Sequence, residues 1–348
     1  MTGMMMVEHE TIPIQRIISV ACRNFMAFDG LHTFNFDEGV NTIVGGNSSG
    51  KSSLVTVITQ ALSRKMSNRW DGKWYPNYRP EESLIEMKFL ADNKEHYLRR
   101  VMLGDTTTDL HLYVGNGEER TFYRDGEVID YFRKFRPITT IDGFENSRKD
   151  FYFWTSGKRT NVNPLFAKSK EHVAGINRFL PMAKSGVRQL RVVGNDVMAE
   201  FRNGELRHLS TLSGGDGKII FIIAKIVNLI HRIGQQGLSK VILIDEIEIG
   251  LDKSKLYGLY SVIEEIANEF DCQFMITSRF VNGRLNPIRV NRAKIPRCYV
   301  DETGQNLNQM IRNFVNSRPG MGIIKTPPYT VKSLTKKNFK KGLFKWKP

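Results

Sequence analysis

The sequence predicts an α/β fold with a mixed sheet: a parallel core, an antiparallel β subdomain beside it, and a helical subdomain. Three observations carry that expectation. Short apolar runs such as NTIV and VILID alternate with helix-length segments, the pattern of a parallel sheet covered on both faces. Residues 84–124 instead alternate apolar and polar side chains between turn-forming pairs, the pattern of an antiparallel meander. A Ser-Gly-Gly turn then leads into IIFIIAKIVNLIHRI, which has the length and spacing of a buried helix.

The elements follow in order. Residues 16–60 read as strand (RIISVACRNF), turn, strand (LHTFNF), strand (GVNTIVGG), loop, and a helix that begins at Gly50-Lys51 and runs through LVTVITQAL. LIEMKFL, EHYLRRVML and DLHLYVG, split by Asp-Asn, Gly-Asp and Gly-Asn-Gly, give the meander. Residues 125–190 mix aromatics, basic residues and turn formers without a period, so no element is assigned there. LRVVG and VMAEFRNG are strands that lead to the Ser-Gly-Gly turn and its helix. KVILIDE is a buried strand, LYGLYSVIEEIANEF a helix and QFMITS a further strand. One domain over residues 1–324 is expected, in three parts. These are residues 16–124, residues 125–200 as a variable insertion, and residues 201–300; a basic tail covers 325–348.

Composition excludes several classes. The 348 residues are 41% hydrophobic and 25% charged, as in a soluble globular protein, and no apolar run is long enough to cross a bilayer. The first residues lack a basic flank followed by an apolar stretch, so no secretory signal is expected and the protein is assigned to the cytosol. Cys22, Cys272 and Cys298 are isolated, which argues against a disulfide framework or a zinc site and for reduced, buried thiols. A net charge of +15 calls for an acidic counterpart, and nucleic acid is the natural one; a basic surface kept for solubility is the alternative.

Gly45-Gly46-Asn47-Ser48-Ser49-Gly50-Lys51-Ser52 fits GxxxxGK[ST], with a strand before it and a helix after it. In such a loop glycines let backbone N–H groups wrap phosphates. Lys51 supplies charge to the outer phosphates, and the Ser52 hydroxyl ligates Mg²⁺. Asp245 and Glu246 end the strand Val241-Ile242-Leu243-Ile244, at the carboxyl edge of the sheet where ligands bind. Asp245 suits the Mg²⁺ shell, and Glu246 can accept a proton from a water lined up on a γ-phosphate. Leu212-Ser213-Gly214-Gly215-Asp216 precedes the long helix and can present a hydroxyl and free N–H groups to another phosphate, that of a second copy's pocket. A plain helix cap by Ser213 or Asp216 is the other reading of that turn.

These motifs, in this order and followed by Gly250-Leu251-Asp252, resemble the ABC ATPase superfamily. Within it, the opening pattern with Arg23-Asn24-Phe25 and GVNTIVGGNSSGKSS is similar to the SMC-like branch, which includes RecF and the OLD-type defence ATPases, here without coiled-coil arms. The resemblance covers residues 16–60 and 205–280. It implies an ABC ATPase head that binds ATP and Mg²⁺, pairs head to tail with a second copy, and hydrolyses ATP. It assigns the nucleotide to Arg23, Asn24, Gly45, Asn47, Ser48, Ser49, Gly50, Lys51, Ser52, Ser53, Ser213, Gly214, Gly215 and Asp252. It gives the metal to Ser52 and Asp245, and turnover to Lys51, Glu246 and Arg279. Two positions depart from the family pattern. Arg279 follows Ile276-Thr277-Ser278 where relatives carry a switch histidine; an arginine contacts a γ-phosphate but shuttles no proton, so slow turnover is expected. The glutamine usual between the two nucleotide motifs has no evident counterpart, and Asp142 or Glu145 in ITTIDGFEN stands in its region, where ordinary loop acids are the competing reading.

Late in the chain, Arg284, Arg289, Arg292, Lys294 and Arg297 concentrate positive charge, and the tail sets Phe339 and Trp346 between lysines. Phosphate-backbone binding with base stacking is one reading, and a solvated tail the other. The functional expectation is an ATPase that dimerises on ATP and acts on DNA or a DNA-associated complex in repair, recombination or replication. The alternative is a nucleotide-sensing defence subunit that holds a nuclease or toxic effector. A transporter subunit finds no support in the charge or in the Arg-Asn-Phe opening.

Overall fold

Strand alternation decides where this chain buries its side chains. In the computed structural model, which describes residues 11–63, 82–102, 108–115, 121–136, 138–142, 170–194, 196–280 and 286–290, three sheets form. β1 (Ile14–Phe25) and β2 (Phe28–Asn35) make a hairpin, and β1 pairs on its other side with β4 (Leu84–Ala91). β5 (Lys94–Met102), β6 (Thr108–Val114) and β7 (Thr121–Arg124) continue the meander, so the six-stranded antiparallel sheet runs β2-β1-β4-β5-β6-β7. Its inner residues are apolar and its outer ones mixed: in β4, Ile85, Met87 and Phe89 are buried while Glu86, Lys88 and Leu90 are half-buried.

The core sheet is parallel throughout. Its order is β14 (Asn286–Arg289), β3 (Val40–Val44), β13 (Gln273–Ser278), β12 (Val241–Asp245) and β8 (Thr139–Asp142). In β12, Val241 and Leu243 join one apolar cluster, with the antiparallel sheet and α1 (Lys51–Ala61), while Ile242 and Ile244 join another. That second cluster holds α3 (Lys170–Phe179), α4 (Gly214–Gln236) and α5 (Lys253–Phe270). A strand buried on both faces reads as an unbroken apolar run, which is why VILI lacks alternation.

Residues 125–190, which show no period, contain α2 (Gly126–Phe132), β8 and α3. β8 lies beside β12 with Asp142 in register with Asp245, so this stretch, set apart in the sequence as an insertion, supplies a strand of the core sheet. β9 (Val187–Val193), β10 (Asp196–Phe201) and β11 (Leu206–His208) form a small antiparallel sheet ahead of α4. α4 is buried from Asp216 through Ala224, as its apolar run requires.

The chain divides into two compact units, residues 1–294 and 295–348, and every described residue belongs to the first. The expected boundary at 324, the basic tail, Glu145, Arg284, Arg292, Lys294, Arg297 and Cys298 lie outside the described residues. Among the described residues, no helix is long and apolar enough to cross a membrane.

Candidate nucleotide site

The loop that leaves β3 is shaped by two glycines. A Cβ at Gly45 would collide with Ser49 Oγ and lie 2.9 Å from the Val290 carbonyl oxygen. Gly50 has φ +105 and packs against Ala27 and Phe28 of the β1–β2 hairpin, where a Cβ would meet the Ala27 Cβ at 3.2 Å. This seats the hairpin turn, and with it Arg23 and Asn24, against the start of α1. Asn24 is buried at φ 48; its Oδ1 accepts the Gly30 N–H at 2.9 Å and its Nδ2 donates to Glu82 at 3.3 Å. Its side chain therefore ties the hairpin together, while Arg23 is exposed.

Lys51 is buried, and its Nζ donates to the carbonyls of Gly45 and Gly46, each at 2.9 Å. The ammonium folds over its own loop and takes two neutral acceptors, weaker partners than a phosphate would be. Ser49 Oγ is buried with no hydrogen-bond partner among the described residues, whereas Asn47, Ser48 and Ser52 are exposed and Ser53 is half-buried. The first turn of α1 directs free N–H groups and a partial positive charge into this loop.

β13 separates β3 from β12, so the loop and the acidic pair end side by side at the carboxyl edge, about 10 Å apart by ordinary strand spacing. Gly45 N–H donates to the Ser278 carbonyl at 3.4 Å. Thr277 donates its hydroxyl to Asp245 Oδ1 and accepts the Glu246 N–H at 2.7 Å. Glu246 sits at φ 53, an uncommon conformation for a non-glycine residue and one that costs about 1–2 kcal/mol. The Thr277 bond and an Ile247 N–H donated to the Thr277 carbonyl at 3.4 Å hold the turn there. Arg279, half-exposed, faces buried Glu248: its N–H donates to Oε1 at 3.1 Å and its Nε lies 3.4 Å from the same oxygen.

The Ser-Gly-Gly turn caps α4. Ser213 Oγ accepts the Asp216 N–H at 3.2 Å and donates to Asp216 Oδ2 at 2.8 Å. Asp216 Oδ1 accepts from Ser185 Oγ at 3.1 Å and Gly186 N–H at 3.2 Å, and Lys255 Nζ lies 3.1 Å away. Gly215 packs on Lys255 and on the Gly250 carbonyl, where a Cβ would come to 3.2 and 3.4 Å. Asp252 caps α5 by accepting the Lys255 N–H at 2.9 Å. Lys218, buried in the first turns of α4, donates to the carbonyls of Glu246, at 3.4 Å, and Ile249. The Ser213–Gly215 turn is thus braced onto the turn that carries Glu246 and Asp252.

The structure therefore brings Lys51, Ser52, Asp245, Glu246 and Arg279 to one sheet edge. Among the described residues, the bonds of Ser213 and Asp216 run to one another, Ser185, Gly186 and Lys255, and those of Lys51 to its own loop. None joins the two groups. Thr277, Glu248, Lys218 and Lys255 are not singled out by the sequence as site residues; each meets its partner across 28 or more positions, except in the local 252–255 cap. For a divalent cation, the Ser52 hydroxyl and the second oxygen of Asp245 offer hard oxygen donors of the kind Mg²⁺ takes.

An AAA domain family matches residues 19–164, and no curated protein matches the chain. Among solved structures, the chain is similar to the SMC head domain from Thermotoga maritima, with a TM-score of 0.51 and 16% identity over 76% of this chain and 89% of that one. An SMC head bound to the C-winged helix domain of ScpA gives a TM-score of 0.53 and 16% identity, covering 75% and 89%. A third similar structure, an Smc head with an extended coiled coil bound to the C-terminal domain of ScpA and derived from Pyrococcus furiosus, gives 0.50 and 15%, covering 77% and 90%. The fold is that of the SMC head domains, with the parallel core, antiparallel lobe and helical lobe expected from the sequence.

Proposed function

We propose that two copies of this chain close head to tail on two ATP molecules and hydrolyse them. One observation carries the reading: a complete phosphate loop and acidic pair share one sheet edge, while Ser213–Gly215, braced on the turn that follows Glu246, makes no bond to that loop among the described residues. A turn with a hydroxyl and helix-terminal N–H groups, held apart from its own chain's loop, is arranged to serve a neighbour's phosphate. In this reading Gly45, Asn47, Ser48, Ser49, Gly50, Ser53 and Arg23 surround the phosphates, and Asn24 holds the hairpin against them. Lys51 exchanges its two carbonyl acceptors for phosphate oxygens. Ser52 and Asp245 hold Mg²⁺, which neutralises phosphate charge when bound. Glu246 takes the proton of the attacking water, and Arg279 faces the γ-phosphate. Ser213, Gly214, Gly215 and Asp252 act on the partner's nucleotide. In this reading Asp142, whose backbone is in register with Asp245, or Glu145 takes the role of the family's glutamine. Glu246→Gln should give a stable dimer in ATP; a variant that elutes only as monomer in ATP by size-exclusion with light scattering would sink the mechanism.

The partner in this reading is DNA, supported by the +15 charge, with DNA-associated localisation as its consequence. The test is the ATPase rate with and without single-stranded and duplex DNA at two salt concentrations, with Lys51→Ala as blank. Absence of both stimulation and binding excludes DNA. A second reading, a nucleotide-sensing subunit that holds an effector protein, is favoured by the SMC heads whose solved structures contain ScpA domains. A stoichiometric protein that co-purifies and leaves with nucleotide would select it.

A further inference from the structure

Glu248 is an unusual residue in this fold. It lies in the turn between Glu246 and Asp252, where Ile249 N–H donates to the Glu246 carbonyl at 3.3 Å and Leu251 N–H to the Glu248 carbonyl at 3.1 Å. Its side chain is only 5% exposed. Oε1 serves the backbone and guanidinium of Arg279, but Oε2 is buried and has no hydrogen-bond partner among the described residues. A buried carboxylate with one oxygen unserved is costly, and it persists only where surrounding structure holds it. Arg279, by contrast, is 46% exposed and follows Ser278, whose carbonyl accepts the first N–H of the phosphate loop. An exposed cation paired with a buried carboxylate thus follows directly on the residue that bonds the loop.

We propose that Glu248 is a positioning residue that competes with the terminal phosphate of a bound nucleoside triphosphate for the guanidinium of Arg279. The inference rests on the nucleotide reading of residues 45–53 given above. A guanidinium serves one planar pair of oxyanion atoms well, and a terminal phosphate offers three oxygens and more charge than a carboxylate. When Arg279 passes to the phosphate, Glu248 is left buried without its counter-charge, a state far less stable than either the paired or the solvated one. The turn that carries it must then shift to admit water or a new donor. That turn ends at Asp252, the cap of α5, and its Ile249 and Gly250 carbonyls touch Lys218 and Gly215 of α4. The exchange converts the presence of a third phosphate into a displacement of the surface that faces the second copy. A diphosphate makes no such exchange and so favours neither arrangement.

The test is equilibrium binding of ATP and of ADP to the full chain, in wild type, Glu248→Gln, Arg279→Met and the double variant. Glutamine keeps the volume and an acceptor for the Arg279 N–H while removing the charge. Glu248→Gln should bind ATP about fivefold more tightly, the scale of an ion pair partly screened by solvent, with ADP binding unchanged. Arg279→Met, at a half-exposed position that tolerates the change, should erase the preference for ATP over ADP, and Glu248→Gln should add nothing in that background. An unchanged ATP-to-ADP ratio in Glu248→Gln, equal weakening of both nucleotides, or a shift that persists without Arg279 overturns the inference while leaving nucleotide binding intact. If Glu248→Gln does not fold, the Arg279→Met result alone decides: a retained ATP preference overturns the competition. A wild-type chain that binds neither nucleotide overturns the site reading itself.

Discussion

Thr277 holds both acids of the site at once: its hydroxyl donates to the Asp245 carboxylate and accepts the amide of Glu246 at 2.7 Å. One buried oxygen thereby fixes the first carboxylate's orientation and the strained φ of the second residue.

Replacing Thr277 by valine preserves shape and removes that oxygen. The Glu246 N–H is then buried without its acceptor, which costs about 1–3 kcal/mol. Denaturant midpoints should fall accordingly, and ATP turnover should fall by more than ATP affinity, since Lys51 and its loop are untouched. A Thr277→Val protein of wild-type stability and turnover would show that the bridge is incidental.

What local chemistry dictates is legible in the sequence. Gly45 and Gly50 announce themselves because only glycine fits those positions, and Val241–Ile244 because a doubly buried strand must be apolar throughout. β8 escaped notice because its four residues are too short to show a period and its identity comes from pairing with β12. Thr277 looks like any strand-end threonine, and the Glu248–Arg279 contact joins positions 31 apart that no local pattern links. Asn24, placed by resemblance at the nucleotide, has both of its side-chain polar atoms engaged within the hairpin and in the contact with Glu82.

Asp216 gives the site an acid sensitivity. Burial by itself would raise its pKa, but the Ser213 hydroxyl, Lys255 and the Gly186 N–H together outweigh it and hold the carboxyl below its usual 3.8. A carboxylate whose folded pKa is depressed contributes stability that is present above the unfolded value and lost as pH falls through the folded one. The wild-type denaturant midpoint should therefore drop more steeply below about pH 4 than that of Asp216→Asn, which lacks the titration. Parallel acid limbs would remove Asp216 from this role. Ser213→Ala, which deletes the cap, should cost about 1 kcal/mol at neutral pH.

The two described cysteines should be inert while the chain is folded. Burial pushes the Cys22 thiol up to about 12 and that of Cys272 up to about 11, and the thiolate is the reactive form. A Cys298→Ser protein keeps two of the three cysteines. At about pH 8 it should react with a disulfide reagent only as fast as it unfolds, then release two equivalents in denaturant. Rapid reaction in native buffer would contradict the burial of both thiols.

Lys218 supplies the most direct test of how the two halves of the site are joined. Its buried Nζ leaves the helix that Ser213 caps and reaches the carbonyls of Glu246 and Ile249, so it is a strut between the Ser-Gly-Gly turn and the acidic turn. Lys218→Met keeps the length of the stem and removes charge and donors. Loss of charge-assisted bonds to buried carbonyls should lower stability by about 1.5–3 kcal/mol. The nucleotide loop of the same chain, 45–53, does not depend on this strut, so ATP affinity of the monomer should change little. Turnover is different, because Glu246 would no longer be held in register with the loop, and a displacement of about 1 Å can cost on the order of 100-fold in rate. Equilibrium ATP binding and steady-state turnover measured on one preparation separate the two. If affinity collapses along with turnover, Lys218 supports the fold as a whole; if neither moves, Glu246 is held by Thr277 alone.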